Sequence, residues 1–330
     1  YIPGQLEGLF QSVILIGLVV LFAGQLGVDT LTLGYWIYAV FTTVVLGVLA
    51  RKYFRSSRGN PFRNPYIRSL LVMIGPLLIG YGAVYVNQMV DKILVSGLES
   101  GTVTAMSYAS VLVNLVGTLI ASLTSVLYAH MTEYIAQGKE QQVARLAERT
   151  ALMMTLILLP VTVIAIGQAE DIVSLVYGRG AFGANEVAVT AQALIGYALY
   201  FIPLAWREVY SRIQYGYQNS KNPTINSVIG IAFNIVLSIL LCPRYGVLGV
   251  TFASSLSVLL SAVLNMYTAR RNAKSLSFAA FIRAIPAVGL GGAAAVLLSC
   301  GAQRWFSGLP VLLRLCATMV LVFAGYGGVL

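Results

Sequence analysis

Residues 80–92 read GYGAVYVNQMVDK. The stretch is apolar enough for a bilayer, yet it places Asn87, Gln88, Asp91 and Lys92 within two helical turns. Its setting decides what that polarity means. The apolar run around it extends from Ser69 to Leu98, which spans about 45 Å if helical throughout, more than a hydrocarbon core needs. Asp91 therefore need not sit at the edge. Asn87 and Asp91 are spaced i, i+4 and share one helix face. On that face they could bind a cation, take a proton or meet a polar head group. The bland alternative is that Asp91 and Lys92 mark the solvated outer end of the helix. Gly75, Pro76, Gly80 and Gly82 predict a bend in this segment.

Working outward, the whole chain repeats the pattern. Of its 330 residues, 58% are hydrophobic and 10% charged, against about a quarter charged in ordinary soluble domains, and its mean hydropathy is +0.83. Ten apolar runs long enough to approach the ~20 residues of a spanning helix fall near 10–28, 33–50, 69–90, 103–128, 150–168, 188–206, 225–242, 246–268, 280–300 and 310–330. None alternates as a barrel strand does, and helices satisfy their own backbone groups in lipid. The fold class is an all-α polytopic membrane bundle.

The net charge of +10 invites a nucleic-acid reading, but the basic residues are distributed against it. The linkers after the second, fourth, sixth and eighth runs hold most of the 21 Lys and Arg residues; only Lys92, Arg179, Arg244, Arg304 and Arg314 lie on the other side. That bias is the positive-inside pattern, so the basic side and the start of the chain are expected in the cytoplasm, with no nucleic acid as partner. Contact of the basic side with anionic membrane lipids is a secondary expectation. Cys242, Cys300 and Cys316 stand singly in apolar runs, and with one His in the chain no metal centre is expected. No phosphate-loop or catalytic constellation is visible, so the expectation is a protein that is not an enzyme. The start at Tyr1 and the end inside an apolar run suggest a piece of a longer protein.

Two breaks organise the chain. RKYFRSSRGNPFRNPYIR at 51–68 separates the second and third runs, and ARRNAKSLS at 269–277 sets off the last two. Runs one and two resemble runs seven and eight: a proline (Pro3, Pro223), an apolar helix, a Gly-containing turn, a small-residue helix and a basic exit. This predicts a parallel repeat of six-helix blocks, in which a transporter places its substrate between halves. Of the other polar residues within apolar helices, Asn114, Asn226, Asn234 and Asn265 are expected mainly as interhelical hydrogen-bond partners. WREVYSRIQYGYQ at 206–218 is expected as an interfacial aromatic and basic belt.

Three stretches carry a resemblance: PLLIGYGAVYVNQMVDKILVSGLESGTVTAMSYAS (76–110), VYGRGAFGANEVAVTAQALIGYAL (176–199) and SRIQYGYQNSKNPTINSVIGIAFNIVLSILL (211–241). They resemble the MurJ (MviN) lipid II flippases of the multidrug/oligosaccharidyl-lipid/polysaccharide exporter superfamily, over about residues 30–275. The resemblance implies a two-lobe, fourteen-helix transporter fold. Residues 1–57 would be the last two helices of the first lobe with a basic linker, 58–275 the second six-helix lobe, and 276–330 two extra helices forming a lipid-tail groove. It implies a flippase carrying lipid II, or another undecaprenyl-pyrophosphate-linked saccharide, across the bacterial inner membrane by alternating access. Cavity residues would include Asn87, Asp91, Asn114 and Arg212. A coupling cation, Na⁺ or H⁺, would use Asp91, Asn234 and Ser254. Two departures stand out: Tyr108 and Ala109 are followed by Ser110 and Val111 where many members have an Arg, and Ser238 stands where an acid would strengthen the cation site. The rival readings are a cation-coupled drug exporter of the same superfamily, a membrane glycosyltransferase and a non-transporting scaffold.

Overall fold

The computed structural model describes residues 2–27, 29–54, 82–180, 182–276, 279–306 and 308–329. The domain boundary expected at 57, the first half of the third apolar run and the bend at Gly75, Pro76 and Gly80 lie outside these residues. The chain divides into two compact units, Tyr1–Val72 and Met73–Leu330. Among the described residues every element is a helix.

The first unit is an antiparallel hairpin of α1 (Ile2–Leu26) and α2 (Asp29–Phe54). Gly27 takes a positive φ of 53° in the turn. Gly34 lets α2 approach Leu15 of α1, where an added Cβ would come within 2.6 Å of the Leu15 side chain. The Phe10 and Phe41 rings meet at 5.5 Å farther along the pair.

The second unit contains α3 (82–96), α4 (Thr102–Ala136), α5 (Glu140–Gly167), α6 (Ala169–Tyr177), α7 (Ala184–Ala198), α8 (Phe201–Gly216), α9 (Lys221–Asn272), α10 (Ala279–Trp305) and α11 (Val311–Val329). Helices α2, α4, α5, α9 and α11 are long and apolar enough to cross a membrane, and α7 and α8, bent by 40° at Leu199 and Tyr200, are so when taken together. At 1.5 Å per residue the 52 residues of α9 would reach about 78 Å, more than twice a hydrocarbon core. The helix is broken instead. Gly246 has φ 58° and ψ −138°, a left-handed conformation that glycine alone adopts cheaply, and the chain reverses there. The arms 221–245 and 247–272 lie side by side: Asn226 donates to Asn265 and Thr268, and the Ser254 hydroxyl lies 3.0 Å from the Asn234 amide.

Packing in the second unit is inverted relative to a soluble protein. The interior is rich in small residues such as Ala109, Ala147, Ala193, Ala205 and Ala253, which let backbones approach. Outward, Val111, Leu115, Leu119, Leu123 and Val126 on one face of α4 are 54–65% exposed. Such a face is stable against lipid tails and costly against water. Hydroxyls within helices are satisfied locally, as where Thr155 and Thr162 donate to the carbonyls four residues back. Bonds between helices then set register. Trp206 Nε1 donates to Thr155 Oγ1 at 2.8 Å, joining α8 to α5, and Ser255 Oγ donates to the Gly196 carbonyl at 2.6 Å, joining α9 to α7.

Where the apolar runs lie among the described residues they fall on helices, with two refinements. Helices α4 and α5 extend past the apolar runs, to Ala136 and from Glu140, because a hydropathy reading measures membrane thickness while a helix continues wherever its exposed face tolerates charge. The short α6 carries Glu170 and Asp171 in its first turn and is too brief for a span, so the apolar reading passes over it.

Candidate functional site

Asp91 is the residue around which the polar interior is arranged. It is 4% exposed, while Lys92 beside it faces outward. Asn87, one turn earlier on α3, donates from Nδ2 to Asp91 Oδ2 at 3.2 Å. Ser238, on the first arm of α9, donates from Oγ to Asp91 Oδ1 at 3.0 Å. Among the described residues no cation forms an ion pair with this carboxylate.

Asn234 sits one turn before Ser238 and closes the cluster. With its nitrogen toward α3 it donates to Asn87 Oδ1 at 2.8 Å and Asp91 Oδ1 at 3.3 Å, and its oxygen accepts from the Ser254 N–H at 2.9 Å. The cluster is thus closed by hydrogen bonds in which the Asn87 and Asn234 nitrogens donate and their oxygens accept.

Asn87, Asn234 and Ser254 also line a cleft of about 370 Å³ between α3, α8 and both arms of α9. From α8 the cleft receives Arg207, Glu208, Ser211 and Tyr215, and from the arms Thr224, Ser227, Gly230, Ser257 and Ser261. Its length follows from the helix: Thr224 and Asn234 are ten residues apart on one arm, about 15 Å. The cleft thus joins the Asp91 cluster to the arginine-bearing end of α8. Glu208 links two cations there, with Arg207 at 3.1 Å and Arg212 at 3.6 Å.

Asn87, Asp91, Asn234 and Ser254 come together in three dimensions. Asn114 does not join them: it is exposed on α4, where its carbonyl accepts from Thr118. Arg212 lies behind the cleft wall, over the Tyr128 ring at 5.8 Å, and reaches the cleft through Glu208. The sequence reading took Arg207 and its neighbours as belt residues and passed over Glu208. The available signal was an acid at i and an arginine at i+4 inside an otherwise apolar helix. Among the described residues no group of three or more His, Cys, Asp or Glu gathers as a metal site.

A second feature lies on α10 and α11. An apolar trough of about 710 Å³ is lined by Leu298, Leu313, Val320, Leu321 and neighbours. Arg314 of α11 pairs with Asp171 of α6 and ties this hairpin to the helices before it.

Comparison with known proteins gives a consistent picture. The family model described as "Lipid II flippase MurJ" matches residues 6–315. A probable lipid II flippase MurJ from Bdellovibrio bacteriovorus is 23% identical over 235 residues, covering 71% of this chain and 45% of the relative. One from Rhizobium tropici is 27% identical over 207 residues, 62% of this chain and 38% of the relative. The chain thus spans less than half the length of either. Among solved structures, a lipid II flippase MurJ in an inward closed conformation superposes with a TM-score of 0.75 at 18% identity, covering 98% of this chain and 67% of that one. An outward-facing multidrug resistance transporter of the MATE family superposes at 0.53, also at 18% identity, covering 77% and 62%. At these identities the superpositions speak for the fold.

Proposed function

Because the chain belongs to the lipid II flippase MurJ family, we propose that its protein carries a lipid-linked cell-wall precursor, lipid II, across the bacterial cytoplasmic membrane by alternating access, and that the cleft beside Arg207 is the part of the path this chain supplies. The observation that carries the reading is the inversion of polarity. The outer faces of the helices are apolar, while a guanidinium, hydroxyls and amides line a cleft inside. Moving a charged saccharide head group through hydrocarbon would strip its water without replacement. A polar cleft supplies substitute hydrogen bonds, and the prenyl tail stays in lipid, lying along the trough of α10 and α11. The basic end of the bundle faces the cytoplasm in this reading, with the start of the chain on that side.

The Asp91 cluster supplies the drive. A buried lone carboxylate is stable only when neutralised by a proton or a cation, and a carboxylate with side-chain oxygens of Asn87 and Ser238 close by would suit Na⁺. One carboxylate balances one positive charge, which favours a monovalent ion over a divalent one. Binding on α3 and both arms of α9 would pull those elements together, and release would let them part.

The test is growth rescue in a bacterium depleted of its own lipid II flippase, using the full-length protein. Rescue at verified expression supports lipid II as substrate. Failure to rescue would reject lipid II and leave a different undecaprenyl-linked saccharide, or a drug, as the cargo of the same fold.

A further inference from the structure

Glu208 is an unexpected residue for a cleft meant to hold an anion. It lines the cavity and places its carboxylate 3.1 Å from Arg207, the cationic group lining that cavity among the described residues. A diphosphate entering the cleft would have to compete with it. The geometry on the other side of Glu208 resolves the conflict. Its second oxygen lies 3.6 Å from Arg212, which is held against the Tyr128 ring outside the cleft and whose Nε is buried with no partner among the described residues. Arg212 therefore has bonding capacity to spare, and its terminal nitrogen is already within reach of the carboxylate.

Resting on the cleft reading, we propose that Glu208 is a placeholder anion, which neutralises Arg207 while the cleft is free of substrate and passes wholly to Arg212 when a diphosphate head group takes Arg207. The exchange is a short side-chain movement, since Glu208 already touches both guanidinium groups. It also keeps the charges paired. Without Arg212, releasing Arg207 would leave Glu208 unpaired in a partly buried site, a costly state. Without Glu208, Arg207 would stand uncompensated whenever the cleft was free of substrate. Arg212 in this scheme is a positioning residue that never touches the ligand, and Glu208 sets how strongly an anion must bind to enter. The effect is selectivity: a weak single charge does not displace the carboxylate, whereas a diphosphate making bidentate contact with a guanidinium does.

The experiment measures affinity for undecaprenyl diphosphate in nanodiscs and for inorganic pyrophosphate in detergent, with phosphatidylcholine and acetate as controls. Glu208→Gln should tighten diphosphate binding by about two- to fivefold, the size of a partly exposed ion pair being released. Arg212→Gln should weaken it by a similar factor, and the double variant should bind as tightly as Glu208→Gln alone. That reversal separates positioning from contact, because an Arg212 that bound the ligand directly would leave the double variant weak. Equal affinities in wild type and all three variants would overturn the exchange while leaving the cleft reading intact. Absence of binding in both wild type and Glu208→Gln, with melting temperatures unchanged, would overturn the exchange and the cleft reading together. Binding of undecaprenyl diphosphate without inorganic pyrophosphate would support the exchange and identify the lipid as the source of the diphosphate.

Discussion

Two polar clusters join the same two arms of α9 to neighbouring helices, and they are built on opposite principles. Toward the basic end, Gln214 of α8 donates to Asn265 Oδ1 at 3.0 Å, Asn226 donates to the same oxygen at 3.1 Å and to Thr268 at 2.9 Å, and Asn265 Nδ2 donates to the Ser261 carbonyl at 2.9 Å. Every member is neutral, Gln214 and Asn265 are fully buried, and none of the three amides lines the cleft. Nearer Gly246, the cluster of Asp91, Asn87, Ser238, Asn234 and Ser254 contains a carboxylate and opens onto the cleft through Asn87, Asn234 and Ser254. One cluster is neutral and closed off from the cleft, and the other sets an ionisable group beside it. Residue type does not tell them apart: Asn226 and Asn234 are both asparagines on one arm, eight positions apart.

The contrast can be broken most directly at its charged member. Asp91→Asn keeps the shape and still accepts from Ser238, so the fold should survive while transport falls to the level of cells without the protein. Transport with an unchanged melting temperature checks it, and retained transport would make Asp91 a packing residue. At the neutral cluster the expectation reverses. Asn265→Ala removes the acceptor shared by Gln214 and Asn226 and should cost about 1–3 kcal/mol of stability, measured by unfolding in micelles, with transport reduced only in proportion to the folded protein. Gly230, where the arms pack closest between the clusters, should be intermediate. A Cβ there would overlap Ser261 Oγ and come within 3.2 Å of the Ser257 carbonyl. Because the serine side chain can rotate away, Gly230→Ala should cost about 1 kcal/mol, the low end of overpacking penalties, read as a shift in unfolding midpoint. Asn114→Ala, on an exposed face of α4, should change stability by less than about 0.5 kcal/mol. A larger loss would give Asn114 a partner in a second conformation.

Much of the architecture is legible in the sequence because bilayer thickness imposes its own length scale. Runs of apolar residues mark the helices, the Gly-containing turn between the seventh and eighth runs marks the reversal, and the i, i+4 pair of Asn87 and Asp91 marks the polar face. The site was legible only where it is local. Ser238 meets Asp91 across 147 positions, and a lone serine in an apolar helix carries no sign of which carboxylate it will face. Local pattern likewise makes Asn234 and Asn265 equivalent, each one amide in an apolar run; the family resemblance alone sets Asn234 apart, and the tertiary partners differ accordingly. The pairing of Glu208 with Arg212 is helix-periodic and could have been read. Its placement on a cleft depends on the bend at Leu199 and Tyr200 and on the reversal of α9, neither of which changes the local pattern around Glu208.

The central claim is that the Asp91 cluster couples an ion to movement of a lipid head group through the adjoining cleft. The most direct measurement is the leaflet distribution of labelled lipid II in sealed vesicles containing the full-length protein, followed with and without an imposed Na⁺ or H⁺ gradient, for wild type and Asp91→Asn. The account predicts gradient-dependent transfer of lipid II between leaflets in wild type and none in the folded Asp91→Asn variant. Transfer that proceeds equally in both proteins, or that ignores both gradients in wild type, would contradict it.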